Sequence, residues 1–171
     1  MSDKLSVRQR HVTWEDPMLG ASQAMQLSGL EYLRAIRDGK IPNAPIAQLL
    51  GMTVAEVEPG RVVFSLEPGE HHYNPIGTVH GGIAATLCDS VMACAVHSVL
   101  PLGMMYTTVE LHVNYVRAIT AETGRVQCIG ELIHQGRRMA TAQARLVDAQ
   151  GRLYNHGTTT CLIFPINSDA K

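Results

Sequence analysis

The stretch NPIGTVHGGIAATLCDSVMACAVHSVL, residues 74–100, decides the fold of this 171-residue chain. It begins as a polar loop rich in glycine and continues as an apolar run whose hydrophobic residues cover nearly every direction around a helix. The pattern therefore predicts a helix over residues 81–100 that is buried on most sides. Asp89 is the only Asp, Glu, Lys or Arg between Glu70 and Glu110, so this helix carries one isolated carboxylate into apolar surroundings.

The segments on both sides of this helix have the pattern of strands. Two β-rich runs separated by Pro59-Gly60 precede it and predict a hairpin. After it the hydrophobic period is two, and turn residues break the pattern into four runs, which predicts an antiparallel meander. Only a curved sheet wrapped around the helix would bury it, so we expect an α+β fold with about six strands. The two strands before the helix are predicted at 52–58 and 61–66. After it, the period of two begins at Met104 and is clear over 108–115, and further runs follow near 125–134, 137–148 and 152–164.

The first 45 residues are predicted to form an arm outside the main domain. Ser28 has Glu31 three residues later, the spacing of a capping box, and Gly39 follows an amphipathic segment, so a short helix is expected over about 28–38. Two prolines keep the linker at 41–45 extended. We therefore divide the chain into an arm (1–45), a main domain (46–165) and a tail (166–171).

The composition excludes several functional classes. A formal net charge of −1 gives no general attraction to nucleic acid or to an anionic membrane surface. The N-terminus lacks the apolar core of a signal peptide, so we expect a cytoplasmic protein. The four cysteines show no CxxC pairing and the eight histidines form no HxH or HxxxH pair, so we expect neither a disulfide framework nor a metal site.

The residues themselves suggest hydrolytic chemistry at the start of the long helix. The first N–H groups of a helix have no internal partner, so the N–H groups of Gly81 and Gly82 are open to a ligand, and the missing side chains let it come close. Asp89 supplies a carboxylate for a nearby reaction. A purely structural carboxylate at 89 and glycines that only permit tight packing are the alternatives.

The pattern N-x-x-G-x-x-H-G-G over Asn74–Gly82, with Asp89 eight residues beyond Gly81, resembles that of the hotdog-fold acyl-CoA thioesterases, in particular the phenylacetic-acid-degradation (PaaI-like) type. The resemblance covers roughly residues 46–164. It implies that Asp89 acts as general base or nucleophile, a choice that the sequence leaves open. It also implies that the Gly81 N–H forms the oxyanion hole, that Asn74 binds the carbonyl or a water, and that His80 shapes the start of the helix.

The same resemblance implies a hydroxyl beside the carboxylate, from the strand after the helix. Thr107 and Thr108 both occupy that region, and the seven-residue spacing to Tyr115 favours Thr108. We expect Thr107 and Gly82 to contact the substrate. Coenzyme A enters only as part of the substrate, and no separate cofactor is expected.

Coenzyme A carries phosphates, which arginine binds with its forked guanidinium group. Arg137 and Arg138 follow the predicted turn at Gln135-Gly136 and are the best candidates for this contact. The alternative is that Arg137 and Arg138 only face solvent at the end of a strand and bind no phosphate.

Helix geometry makes a prediction about assembly. Eight residues at ~1.5 Å each separate Gly81 from Asp89 by about 12 Å, too far for both to touch one carbonyl. If both act on the same thioester, they belong to different chains, so the enzyme hypothesis predicts a homodimer. The resemblance implies the same shared site and favours a dimer of dimers.

Two other functions remain open at this stage. A hotdog hydroxyacyl-thioester dehydratase would use a loop histidine, for which His71 or His72 could be proposed. The residues around these histidines do not have the spacing of the dehydratase pattern. A non-catalytic acyl-CoA sensor would use the same pocket without chemistry. A thiol nucleophile at Cys88 is less well supported than core packing, because no base is placed for it.

Overall fold

The structure is a computed structural model that describes residues 7–166. Four helices and one six-stranded antiparallel sheet make up this part of the chain, with short 3-10 turns at Glu70–His72 and Ala121–Thr123. The helices are α1 (Pro17–Ala24), α2 (Gly29–Arg37), α3 (Pro45–Leu50) and α4 (Gly81–His97). The strands are β1 (Met52–Glu58), β2 (Arg61–Leu66), β3 (Met104–Tyr115), β4 (Val126–Gln135), β5 (Met139–Asp148) and β6 (Leu153–Pro165). The predicted α+β class and strand number are confirmed.

The strand order in the sheet is β1-β2-β4-β5-β6-β3, and all neighbours are antiparallel. The β1–β2 hairpin and the β4-β5-β6 meander are as predicted. The prediction that β3 opens a four-stranded meander is wrong, because β3 pairs with β6 and β4 pairs with β2. Strand β3 therefore forms one edge of the sheet, and its outer side has no neighbouring strand among residues 7–166.

Helix α4 lies in the concave face of the sheet and supplies the centre of the core. Its buried side chains include Leu87, Val91, Met92 and Val96, which are almost completely inaccessible. Gly130 of β4 allows close approach, since a Cβ there would lie 2.5 Å from the Val91 carbonyl oxygen. The helix ends three residues before the predicted position 100, where 98–100 form a tight turn followed by proline.

A β-bulge in β3 changes which side chains face α4. Strict alternation predicts Thr108 and Tyr115 on opposite faces of the strand. The register shifts between Thr108 and Glu110, however, and both residues donate hydrogen bonds to α4. One extra residue at the bulge thus brings two polar side chains to the same helix.

The N-terminal arm packs on the domain through α2. The predicted capping box is present: the Ser28 hydroxyl accepts from the Glu31 N–H, and the Glu31 carboxylate accepts from the Ser28 N–H. Helix α2 lies against β1 and the end of α4. Gly29 makes this contact possible, since a Cβ there would lie 1.8 Å from the His97 carbonyl oxygen.

The predicted division into arm, domain and tail remains a prediction, and the tail lies outside the described residues apart from Ile166. Within residues 7–166, no helix is both long and apolar enough to cross a membrane.

Candidate active site

The loop before α4 is held in shape by Asn74. Its Oδ1 accepts hydrogen bonds from the N–H groups of Ile76 (3.1 Å) and Thr78 (3.2 Å), and its amide nitrogen donates to the Thr78 hydroxyl (3.1 Å). Gly77 has φ +80°, a value that glycine adopts without strain. The amide of Asn74 is therefore engaged within its own loop in the single chain.

His80 caps the start of α4. Its Nδ1 accepts from the Gly82 N–H at 2.8 Å, and its carbonyl oxygen accepts from the Ile83 N–H at 2.9 Å. The N–H of Gly81, in contrast, has no hydrogen-bond partner among residues 7–166. One donor is thus left at the positive end of the helix dipole.

The two glycines are needed for packing as well. A Cβ on Gly81 would come within 3.2 Å of the Tyr115 ring, and one on Gly82 would lie 2.9 Å from His80 Nδ1. The Tyr115 hydroxyl donates to the Gly81 carbonyl oxygen at 3.1 Å. The absence of side chains at 81 and 82 therefore lets Tyr115 and His80 lie close to the helix start.

Gly81 lines a cavity of about 300 Å³ that also contains Asn155 of β6. Asn155 is 1% exposed, and its amide nitrogen donates to the Cys88 sulfur at 3.2 Å. Its Oδ1 has no partner in the described part of the chain. Buried acceptors normally have a partner, so this oxygen is an exception beside the Gly81 cavity. Asn155 lies 74 positions after Gly81 in the sequence, and its isolated position in a strand gives no signal that the two come together.

The structure pairs Asp89 with the predicted threonine. The Thr108 hydroxyl donates to Asp89 Oδ1 at 2.8 Å, while Oδ2 has no hydrogen-bond partner among residues 7–166. The sequence indicated a carboxylate in apolar surroundings, and Asp89 is half-buried in the single chain. One oxygen is thus held in place and the other is open to a reacting group.

Asp89 and Thr108 line a cavity of about 720 Å³. Thr107 lines it too, in agreement with its predicted position near the substrate. Much of the remaining lining is apolar and comes from the N-terminal arm, which sequence reasoning left without a function. The arm contributes Ala21, Ala24, Met25, Tyr32, Leu33, Ile36, Asn43 and Ala44, and the adjoining helix α3 adds Ile46 and Ala47.

Gly81 and Asp89 do not share a cavity within one chain. The two cavities have no lining residue in common, and both groups belong to the same rigid helix. Arg137 and Arg138 line a third cavity, of about 400 Å³, at the end of the sheet formed by Met104 and Phe164. Both arginines are exposed, and neither lines the cavity of Asp89 or that of Gly81.

One of the two histidines considered for a dehydratase, His72, has both ring nitrogens in structural hydrogen bonds. His72 Nδ1 accepts from the Gly69 N–H at 3.1 Å, and its Nε2 pairs with the Leu50 carbonyl oxygen at 3.0 Å. Burial lowers the pKa of His72, which favours the neutral ring that these two bonds require. The His71 ring lies against it, with ring centroids 3.9 Å apart and the two planes tilted by 50°.

The four cysteines are free thiols, and Cys88 packs against the sheet with its sulfur 3.8 Å from that of Cys128. Burial and the nearby Asp89 charge raise the pKa of Cys94 to about 12. Within residues 7–166 no cluster of three or more His, Cys, Asp or Glu side chains is arranged to hold a metal ion.

Comparison with known proteins connects this geometry to one family. The sequence profile described as the thioesterase superfamily matches residues 76–155, which include the helix start, Asp89 and Asn155. The human protein acyl-coenzyme A thioesterase 13 is 29% identical over 111 residues, which are 64% of this chain and 77% of that protein.

Solved structures have the same fold. One, described as a protein from the thioesterase superfamily, is 32% identical, and the alignment covers 78% of this chain and 97% of that one with a TM-score of 0.64. The E. coli PaaI protein from the phenylacetic acid degradation operon has a TM-score of 0.69 at 20% identity, over 82% of this chain and 96% of that one. The chain therefore belongs to the thioesterase superfamily and has the hotdog fold.

Proposed function

We propose that this chain hydrolyses acyl-CoA thioesters to the free acid and coenzyme A, at sites completed by two copies of the chain. The acyl group is a small aryl or a short to medium aliphatic group. Each site combines Asp89 and Thr108 of one copy with Gly81, His80 and Asn74 of the other.

One observation carries the proposal: the carboxylate and the free helix N–H lie in two separate cavities of one chain. A reacting carbonyl needs both groups within ~3 Å. A rigid helix with ~1.5 Å rise per residue cannot bring its residues 81 and 89 together. A second copy of the chain supplies the missing half without any change in fold.

The outer side of β3 supports this assembly. It is a 12-residue edge strand, and such an edge offers unpaired backbone groups to another chain. Val109, Leu111 and Tyr115 of this strand are exposed apolar side chains. Thr108 beside Asp89 and Tyr115 beside Gly81 lie seven residues apart, so antiparallel pairing of two β3 edges brings the Asp89 end of one copy to the Gly81 end of the other. A dimer of such dimers remains a prediction.

The chemistry assigned to Gly81 is stabilisation of the oxyanion. Attack on a thioester moves negative charge to the carbonyl oxygen, and a fixed N–H at the positive end of a helix stabilises that charge. The neighbouring N–H groups of Gly82 and Ile83 are already bonded to His80. Gly81 is thus the donor that remains for the substrate.

The chemistry assigned to Asp89 is either activation of water or direct attack that forms a mixed anhydride. Thr108 holds Oδ1, which leaves Oδ2 to take a proton from water or to attack the carbonyl carbon. When the thioester carbon–sulfur bond breaks, the sulfur leaves as coenzyme A thiolate and takes up a proton, which in the water route is the one that Asp89 removed. In the direct route, water then hydrolyses the anhydride, which releases the free acid and regenerates the Asp89 carboxylate.

The nucleotide end of coenzyme A is assigned to Arg137 and Arg138. They are exposed, adjacent and located at a sheet end where no carboxylate lines the same cavity. Two guanidinium groups there can form forked hydrogen bonds with a phosphate.

The proposed function is tested by the release of free thiol from a panel of aryl and aliphatic acyl-CoAs. We expect the chain to hydrolyse members of this panel and Asp89→Asn to lower kcat about 10²- to 10⁴-fold, as loss of a general base does. Glu58→Gln is the matched control, because Glu58 is an exposed carboxylate at the end of β1. Equal rates for Asp89→Asn and the unaltered chain would contradict the assigned role.

The dehydratase alternative is tested in the same assay. Both ring nitrogens of His72 are occupied, which disfavours it as a proton-transfer group. A hydrolase should release free thiol from both crotonyl and 3-hydroxybutyryl thioesters and should not convert one acyl group into the other. Interconversion with no release of thiol would overturn the hydrolase assignment, and binding of acyl-CoA with neither reaction would favour a sensor.

A further inference from the structure

The inner part of the Asp89 cavity contains a histidine that the proposed hydrolysis does not use. Asp89, Ala93 and His97 stand at i, i+4 and i+8 on α4, so they form one stripe along the helix, and all three line the cavity. About 12 Å of helix separates Asp89 from His97. The small side chain of Ala93 leaves the space between them open.

His97 is a buried polar group without a protein partner. It is 4% exposed, and its imidazole makes no hydrogen bond to any of residues 7–166. Its ring lies beside those of Tyr32 and Tyr106, with centroids 5.7 and 5.2 Å away. The ring nitrogens are not among the fully enclosed atoms without a partner, so they border the cavity and can pair with a bound molecule there.

Tyr32 brings a second such group to the same place. It comes from α2 of the arm, lines the cavity, and its hydroxyl has no hydrogen-bond partner in the described part of the chain. Most of the neighbouring lining is apolar, including Leu33, Ile36 and Met105. The inner cavity is thus mostly apolar, and the rings of Tyr32 and Tyr106 lie near that of His97. A few polar groups in an apolar lining are typical of sites that orient a ligand.

The charge state of His97 limits what it can bind. Burial lowers the pKa of His97 to about 4, so the ring is neutral near pH 7. A neutral imidazole has one donor and one acceptor nitrogen and offers no net positive charge. It therefore suits a hydroxyl or keto oxygen better than a carboxylate.

We infer that His97, together with Tyr32, is a specificity-determining residue that hydrogen-bonds a neutral oxygen at the far end of the acyl group. The inference rests on the proposed function, since it takes the cavity beside Asp89 as the acyl pocket. The preferred substrates are then acyl-CoAs whose acyl group reaches along α4 and carries a hydroxyl or keto group remote from the thioester.

The test compares matched pairs of acyl-CoAs, each with and without a terminal hydroxyl, over a series of chain lengths. At the length that reaches His97, the hydroxylated member should have a kcat/KM roughly two- to tenfold higher, the value of one or two neutral hydrogen bonds. His97→Phe should reduce this ratio to about one, and Tyr32→Phe should reduce it in part. His134→Phe, a substitution at an exposed histidine of β4, should leave the ratio unchanged.

Binding of the corresponding free acids, measured by calorimetry, separates the inference from the proposed function. If no thioester releases thiol, the proposed function fails, and the binding preference for the hydroxylated acid still tests His97. Equal binding and equal rates within every pair would overturn the inference. A preference that survives in both His97→Phe and Tyr32→Phe would also overturn it, and Tyr32→Phe removes a single oxygen atom, so misfolding cannot obscure its result.

Discussion

The start of α4 and the middle of the same helix use their polar groups in opposite ways. At the start, Asn74 and His80 direct their side chains to backbone groups of their own loop and helix, and one N–H remains free. In the middle, Asp89 keeps one oxygen open and His97 has no protein partner among residues 7–166. The first region is held in shape by its own hydrogen bonds, whereas the second leaves polar atoms without a protein partner.

This difference indicates that different polar groups of α4 and its loop contribute to stability and to function. A rigid helix start holds one donor at a fixed position, as preorganised catalysis requires. The middle of the helix carries polar groups that the fold alone leaves incompletely paired, which is common at functional sites. Substitutions in the two regions should therefore differ in whether they change stability or only activity.

The largest expected effect comes from mixing two inactive variants, one from each region. Gly81→Pro removes the free N–H and keeps the helix start, because proline is favoured at the first helical position and the backbone of His80 (φ −59°, ψ 133°) suits a residue before proline. Alone it should lower kcat about 10²- to 10³-fold. When it is refolded together with an equal amount of Asp89→Asn, about half of the dimers should contain one copy of each variant. One of the two sites in such a dimer has both Asp89 and the Gly81 N–H, so roughly a quarter of all sites should be active.

Gly81→Ala is the matched control for this experiment. It brings the same Cβ contact with the Tyr115 ring but keeps the N–H, so it should retain far more activity than Gly81→Pro. No recovery on mixing, with mixed dimers demonstrated by mass, would contradict a site shared between chains. Light scattering that gives a mass near the 18.6 kDa of one chain would do the same.

A smaller effect is expected from Asn74→Ala. The substitution removes the acceptor of two backbone N–H groups, so the free energy of unfolding should fall by about 1–2 kcal/mol. Gln143→Ala is the control, because Gln143 is exposed on β5, away from the β3 edge, and its side chain has one long contact, 3.4 Å from Glu131. Urea unfolding measures both. Unchanged stability with lost activity would mean that the amide serves the substrate rather than the loop.

The smallest effect is expected from Thr108→Val, which keeps the shape of the side chain and removes its hydroxyl. Activity should fall about tenfold because Asp89 loses the donor that orients it, as expected for a hydrogen bond to a charged group. Stability should change little, since Asp89 is half-buried and water can replace the donor. Thr107→Val should have the weaker effect on kcat, and the reverse order would contradict the choice of Thr108.

Much of the fold could be predicted because its signals are local. The bounds of β1 and β2 agree with the prediction, since Pro59-Gly60 marks the turn between two β-rich runs. The capping box at Ser28 and Glu31 and the start of α4 at Gly81 also depend only on neighbouring residues. The pairing of Thr108 with Asp89 followed from the resemblance to the thioesterases, which supplied the expected spacing.

The position of β3 could not be predicted in this way. Hydrophobic alternation shows that 104–115 is a strand but carries no information about its partner, and the strand crosses to pair with β6. The bulge beside Thr108 was missed for the same reason, since no glycine or proline marks it. The acceptor on Asn155 and the exposed edge both depend on this pairing.

The sequence by itself determined the helix, its polar start and the isolated Asp89. It also determined the distance along the helix that separates the Asp89 carboxylate from Gly81. These follow from spacing along one chain, where rise per residue and capping rules apply directly. Only the tertiary structure decided that the arm covers the Asp89 cavity and brings Tyr32 to His97. Such contacts join distant segments through burial of apolar surface. Because this interaction is non-directional, the residues near each segment do not indicate which other segment it packs against.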